Sequence, residues 1–214
     1  MNKTVIIILS VVAVFIFLFA AYKFTNTSSD ITYPEVSKIS KTDHVAWSKD
    51  KNYILVEYSD LQCPACQSFA QFIKSEIEAS GAAEADIMKK VTFVYRHFPL
   101  AQHANAENAA KAAEAAGKQG KFFEFVSMAF DKQKDWAEKK DAVKKFEDYA
   151  KDLDLDMDKF KKDRDSKESK NKIEADLLSG QTAQVNATPT FYLNGKKLGP
   201  INSFADFLKP LKAL

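Results

Sequence analysis

The pattern of hydrophobic and polar positions divides the chain into an apolar start, a polar stretch and a longer region of strand and helix patterns. Residues 4–22 contain no charged side chain, and residues 23–42 are polar with clusters of serine and threonine. The polar stretch has no sustained apolar period, which is typical of a connecting segment. We therefore expect the folded region to begin near His44.

A strand followed directly by a helix is predicted early in the folded region. Residues 52–60 are rich in β-branched and aromatic side chains, which predicts a buried strand with Glu57 on the face opposite Val56 and Tyr58. The apolar residues that follow Pro64 recur at helical spacing. Proline is favourable at the first helical position because its missing N–H would be unpaired there anyway.

The remainder of the folded region combines two further strands with a long helical stretch. Residues 91–99 predict a strand, and the next 85 or so residues have helical periods. A short apolar strand at residues 190–193 precedes Asn194 and Gly195, the strongest two-residue hairpin signal. A last helix is predicted from about Ser203.

The apolar run at the N-terminus indicates a segment directed to a membrane. Its length approaches the roughly 20 residues that span a bilayer, whereas a cleaved signal peptide has an apolar core of roughly 7–15 residues and a small-x-small cleavage site. Phe19 is too large for such a site ending at Ala21. We expect residues 1–22 to form a retained transmembrane helix and residues 23–43 a polar tether, with secretion after signal cleavage as the alternative.

Length and charge restrict the class of protein. The chain has 214 residues and a formal net charge of +2, enough for one domain with a well-buried core. Lysines and acidic residues are interleaved along most of its length, so no basic stripe indicates a nucleic-acid partner.

The two cysteines of the chain, Cys63 and Cys66, lie where the predicted strand meets the helix. A structural zinc site needs four ligands, and the chain offers only three histidines and no second CxxC motif besides this pair. A disulfide that closes so short a loop would stabilise the fold little. A reactive pair fits better, because a helix N-terminus lowers the pKa of Cys63. Cys66, one turn further, could then attack the mixed disulfide.

Three stretches, residues 54–70, 95–125 and 186–198, together resemble the DsbA-like branch of the thioredoxin superfamily, which often occurs tethered to the outer side of bacterial membranes. The resemblance implies an α/β thioredoxin fold, a central mixed sheet flanked by helices, within residues 44–214. It also implies a helical subdomain inserted at about residues 100–180.

The resemblance assigns roles to three residues outside the cysteine motif. It implies that Pro189 follows a cis peptide bond from Thr188 and lies against the active-site disulfide, where both bind the client. An ordinary proline at a strand start is the alternative. It also implies that Glu57 is buried beneath the motif, where its pKa is raised and it exchanges a proton with Cys66. A solvent-exposed glutamate at a strand edge is the alternative.

The expected function is disulfide formation in exported proteins. The cysteine-containing clients would be oxidised outside the cytoplasm, and the resemblance implies that a membrane-embedded, quinone-linked partner recharges the pair. A reductase, an isomerase or a tethered binding or chaperone module are the alternatives. We expect no cofactor and no metal. Strong oxidants of the family carry a histidine between the cysteines, whereas this chain has Pro64 and Ala65, which leaves the oxidising strength open.

Overall fold

The computed structural model describes residues 2, 9, 11–19 and 31–214. Contacts divide the chain into two units, Met1–Ile31 and Thr32–Leu214. Residues 11–19 are helical, and among the described residues no helix is both long and apolar enough to cross a membrane. Parts of the predicted anchor and of the predicted tether lie outside the described residues, so the anchor stays a prediction.

A five-stranded mixed sheet forms the centre of the second unit. Its strands are β1 (His44–Trp47), β2 (Tyr53–Ser59), β3 (Val91–His97), β4 (Thr190–Leu193) and β5 (Lys196–Lys197). Their order in the sheet is β1-β3-β2-β4-β5. Strands β2 and β3 are parallel, and the other neighbouring pairs are antiparallel. The first strand was not predicted, because four residues carry too short a pattern.

Helices connect and cover the strands. The helix after β2 continues as a π-helical turn at Lys74–Glu78, and a 3-10 turn at Pro34–Ser37 precedes β1. The helices are α1 (Pro64–Ile73), α2 (Ile87–Lys90), α3 (Ala106–Gly117), α4 (Phe122–Asp131), α5 (Gln133–Trp136), α6 (Ala142–Asp152), α7 (Met157–Arg164), α8 (Lys167–Thr182) and α9 (Phe204–Lys212).

Two hydrophobic cores lie on the two faces of the sheet. The first contains Leu55, Phe93 and Phe191 and is covered by α1, α9 and the helices from α3 to α7. The second contains Val56 and Tyr192 and lies beneath α8 and the 3-10 turn. Side chains alternate between the faces of a strand, so neighbours along β2 enter different cores.

This alternation places Glu57 as predicted. Leu55 belongs to the first core, whereas Val56 and Tyr58 belong to the second. Glu57 therefore points into the first core, where Tyr95 is its partner in the parallel register of β2 and β3.

The predicted hairpin and the predicted start of the last helix are also confirmed. Asn194 and Gly195, the two residues of the hairpin turn, both have positive φ angles. The Ser203 side chain caps the N-terminus of α9.

Residues 32–43 differ from the predicted tether, because they lie against the domain. Val36 is buried in the second core. The Asp43 side chain is 2% exposed and pairs with Arg96 at 2.9 Å and with Lys172 at 3.1 Å. The apolar residues of this segment have no regular spacing, so its packing depends on partners far away in the sequence.

The helical insertion runs from Ala106 to Thr182, close to the predicted residues 100–180. Its last helix, α8, also covers the second face of the sheet. The hydroxyl oxygens of Ser179 on α8 and Tyr58 on β2 lie 2.7 Å apart. One helix of the insertion thus packs against the central sheet.

Candidate active site

The cysteine pair lies at the joint between β2 and α1. Cys63 is the N-cap of α1 with an extended backbone, and Pro64 occupies the first turn. Both cysteines are free thiols, and Cys66, with no exposed surface, is more deeply buried than Cys63, which is 7% exposed. Because Pro64 and Ala65 are exposed, the motif faces solvent on the side of Cys63.

The Cys63 thiol is strongly acidified. A hydrogen bond from the Cys66 thiol, against the opposing effect of burial, lowers the pKa of Cys63 to about 5, and the Thr188 side chain and the main-chain N–H groups of Cys66 and Ala65 contribute. No cationic side chain is needed, because the N–H groups at the start of α1 stabilise the thiolate.

Cys66 has the opposite character. Burial, together with the negative charges of Cys63 and Glu57, raises the pKa of Cys66 well above its ordinary value. The two sulfurs therefore differ in role. Cys63 is a thiolate at neutral pH and Cys66 is a protonated thiol. Thiol-disulfide exchange uses these two protonation states, because the thiolate is the nucleophile.

The Thr188-Pro189 segment lies beside Cys63, as the resemblance implied. Its peptide bond is cis, and Cys63 Sγ lies 3.3 Å from the carbonyl oxygen of Thr188. Thr188 is buried. The structure thus brings a residue 125 positions away into contact with the first cysteine.

Glu57 lies in the first core beneath the motif. It is 4% exposed, and burial, with added repulsion from Glu78 and Cys63, raises the pKa of Glu57 from 4.5 to about 7. The exposed strand-edge alternative is therefore wrong. A carboxyl group that titrates near neutral pH can both accept and release protons under physiological conditions.

A cavity connects Glu57 with the surface. It has a volume of about 80 Å³, and its lining includes the buried Glu57 and Tyr95 together with Lys74 and Asp131. The latter two are partly exposed and form an ion pair at 2.6 Å. Glu57 is thus buried yet has a path along which protons could reach solvent.

A groove borders the cysteines on the side of Pro189. It has a volume of about 340 Å³, and its lining includes Ala65, Phe69, Pro189 and Ile201. Polar residues, among them Asn186 and Lys197, also line the groove. Apolar and polar groups thus meet the exposed start of α1 in one concave surface, which could receive an extended chain.

The helical insertion supports the loop that carries the cysteines. The buried Gln133 on α5 donates from Nε2 to the carbonyls of Leu61 at 2.8 Å and Cys63 at 3.1 Å. Gln62 donates to the Ala137 carbonyl and accepts from the Asn105 N–H, each at 2.7 Å. The sequence analysis missed these residues, because an isolated glutamine carries no local signal of such contacts.

Comparisons with known proteins agree with this geometry. A sequence profile described as Thioredoxin matches residues 40–213. The chain is also similar to the Na(+)/H(+) antiporter NhaA 1 of Mycobacterium sp. (strain KMS), with 31% identity over 178 residues, covering 80% of this chain and 26% of the antiporter. The chain thus spans about a quarter of the length of the curated relatives it matches.

Solved structures share the fold. Oxidised BdbD from Bacillus subtilis has a TM-score of 0.66 and 22% identity and covers 81% of this chain and 92% of its own. The alpha-DsbA1 protein of Wolbachia pipientis has a TM-score of 0.70 and 22% identity and covers 86% of this chain and 96% of its own. The inserted helices are therefore part of a shared architecture.

Proposed function

Because this chain belongs to the thioredoxin family and has the fold of DsbA-like thiol-disulfide oxidoreductases, we propose that it introduces disulfide bonds into exported proteins through Cys63 and Cys66. One observation carries the proposal. An acidified thiol at a helix N-terminus lies beside a buried thiol of raised pKa, so the pair favours a thiolate on the outer sulfur and hence the reduced state.

The proposed reaction begins with the Cys63–Cys66 disulfide. A client thiolate attacks Cys63 Sγ, so a bond forms between the client and Cys63 while the bond to Cys66 breaks and its electrons remain on Cys66. A second client thiolate then attacks the client sulfur, which closes the client disulfide and releases Cys63 as a thiolate. The client is oxidised by two electrons and the pair is reduced.

Proton transfer in this scheme uses Glu57. Cys66 leaves as a thiolate and must gain a proton, because burial strongly disfavours its charge. A protonated Glu57 is a suitable donor near neutral pH, since its pKa is raised to about 7. The cavity that Glu57 shares with the partly exposed Lys74 and Asp131 would return the proton from solvent.

Thr188 and Pro189 would hold the client. A client chain lying in the adjacent groove could pair with the main chain near Thr188 as an added strand. This placement would bring the client sulfur to Cys63, whose Sγ lies 3.3 Å from the Thr188 carbonyl oxygen.

The proposed setting is the outer side of a bacterial membrane. Residues 1–22 would anchor the domain, and a membrane-embedded, quinone-linked oxidase would return the reduced pair to the disulfide. The apolar sequence of residues 4–22 and the persistence of disulfides outside the cytoplasm support this setting.

The test is client trapping with single-cysteine variants. Cys66→Ala should accumulate mixed disulfides with exported clients, because Cys66 is no longer present to attack the bond between Cys63 and the client. Cys63→Ala should not accumulate them. Equal trapping by both variants would contradict the assignment. If the wild-type pair is reduced in intact cells and its deletion leaves client disulfides intact, the reductase or isomerase alternative replaces the oxidase.

A further inference from the structure

Asp60 connects three segments beneath the cysteine motif. Its side chain is fully buried. One carboxylate oxygen accepts the N–H of Gln62 at 2.7 Å. The other oxygen accepts hydrogen bonds from the N–H of Leu100 at 2.8 Å and from Nδ1 of His103 at 2.7 Å. The motif loop, the loop after β3 and the turn before α3 thus converge on one carboxylate.

The main chain of Asp60 contacts both cysteines. Its carbonyl accepts the Cys63 N–H at 3.0 Å, and its own N–H donates to Cys66 Sγ at 3.5 Å. The hydrogen bond from Asp60 N–H acts to lower the pKa of Cys66 against the effect of burial. A displacement of Asp60 would therefore alter the surroundings of both sulfurs.

A common local turn explains only part of this arrangement. The bond from Gln62 N–H to the carboxylate is an Asx turn, which aspartate forms readily within a loop. The second oxygen, however, binds Leu100 and His103, which lie 40 and 43 residues further along the chain. These bonds fix Asp60 relative to the rest of the domain, which an Asx turn alone does not.

We propose that the Asp60 carboxylate and His103 are positioning groups for thiol-disulfide exchange, because they hold the Asp60 N–H where it stabilises the Cys66 thiolate. When a client thiolate attacks Cys63, the electrons of the broken bond remain on Cys66 Sγ. A hydrogen bond to that sulfur stabilises the leaving thiolate, as well as the reduced state that follows. This inference rests on the proposed function, because it concerns the same exchange reaction.

The experiment uses the full chain with reduced and oxidised glutathione as the probe. It measures the equilibrium constant for oxidation of glutathione by the Cys63–Cys66 disulfide and the rate of the first attack. His103→Ala should lower both by about three- to tenfold, as expected for the loss of one hydrogen bond that orders the loop. His103→Asn should restore both toward wild type, because the amide can donate from near the position of Nδ1. Asp60→Asn should lower both at least as much as His103→Ala.

His44→Ala is the matched control. The side chain of His44 is 18% exposed and lies 2.8 Å from the buried Glu114, whereas that of His103 is 20% exposed and lies 2.7 Å from Asp60. The control removes a similar interaction at a place without contact to the cysteine loop. It should leave the equilibrium constant and the rate unchanged.

Two results would count against these conclusions in different ways. If His103→Ala and Asp60→Asn lower the thermal midpoint but leave both glutathione parameters at wild-type values, Asp60 only stabilises the fold and the inference is wrong. The His103 variants decide the question if Asp60→Asn does not fold. A wild-type chain that does not exchange with glutathione would overturn the proposed function itself.

Discussion

At the scale of single residues, the difference between the two cysteines determines the chemistry. Cys63 lies at the N-terminus of α1 with a pKa lowered to about 5, and Cys66 lies in the core with a raised pKa. The largest cause of the shift at Cys63 is the hydrogen bond from Cys66. The two sulfurs must therefore be considered as a pair.

The first prediction concerns alkylation of the reduced protein. Cys63 should react with iodoacetamide with a midpoint near pH 5, far below the pKa of about 8.5 of a free cysteine, while Cys66 remains protected. Mass spectrometry of the alkylated chain after short exposures measures both rates. In Cys66→Ala the midpoint of Cys63 should rise, because the main hydrogen-bond donor is gone. Equal rates at both cysteines of the wild type would contradict the assignment.

The second prediction concerns Glu57→Gln and the pH dependence of stability. The pKa of Glu57 is raised from 4.5 to about 7 by burial, so the folded state binds more protons than the unfolded state between these values. Stability is then lost as the pH rises through 7. Since glutamine mimics the protonated acid, the variant should be more stable than wild type by about 3 kcal/mol at pH 8 and equal to it below pH 4.5.

Urea unfolding of both proteins at several pH values measures this difference, and exchange kinetics provide a second measure. The same variant should slow exchange between pH 6 and 9, because Cys66 loses its proton donor. Parallel stability curves together with unchanged exchange rates would show that Glu57 does not titrate in the core.

At the scale of secondary-structure elements, the contact between α5 and the cysteine loop is the notable feature. Gln133 reaches from the insertion to the carbonyls of Leu61 and Cys63. The insertion therefore stabilises the site that the strand and helix of the thioredoxin fold create.

The third prediction tests this contact. Gln133→Ala should reduce the free energy of unfolding by about 1–3 kcal/mol, because buried carbonyls lose their donor. Urea denaturation measures the change. Gln102→Ala, at an exposed position, is the control and should change stability by no more than about 0.5 kcal/mol. An equal effect of both substitutions would mean that the amide of Gln133 is dispensable.

At the scale of the whole molecule, the acidity of Cys63 bears on the reduction potential of the cysteine pair. Stabilisation of the thiolate raises oxidising power, and thioredoxin and DsbA have cysteine pKa values of about 7 and about 3.5. The value of about 5 for Cys63 lies between them, although no charged residue separates the cysteines.

The fourth prediction follows from this comparison. The reduction potential should lie between about −270 mV and about −120 mV, the values of thioredoxin and DsbA. Equilibration with glutathione, read by alkylation and mass spectrometry, measures it. Cells should hold the pair mostly oxidised, and deletion should leave exported clients with free thiols. A potential at or below that of thioredoxin would favour the reductase.

The sequence alone determined those features that arise from short stretches of chain. The alternation along residues 52–60 placed Glu57 in the core, and Pro64 marked the start of α1 with the cysteines in front of it. The hairpin at Asn194 and Gly195 followed from local backbone preference. The family profile and the solved structures confirm the resemblance. The helical insertion and the position of Pro189 beside the cysteines were predicted from that resemblance.

Only the tertiary structure decided which distant residues surround the cysteines. Asp60 and Gln133 carry no periodic pattern, and their bonds to His103 and to Leu61 join segments 43 and 72 residues apart. The packing of residues 32–43 likewise depends on buried charges elsewhere in the chain. Local patterns report backbone conformation and burial, whereas hydrogen bonds between segments depend on how the sheet and helices bring those segments together.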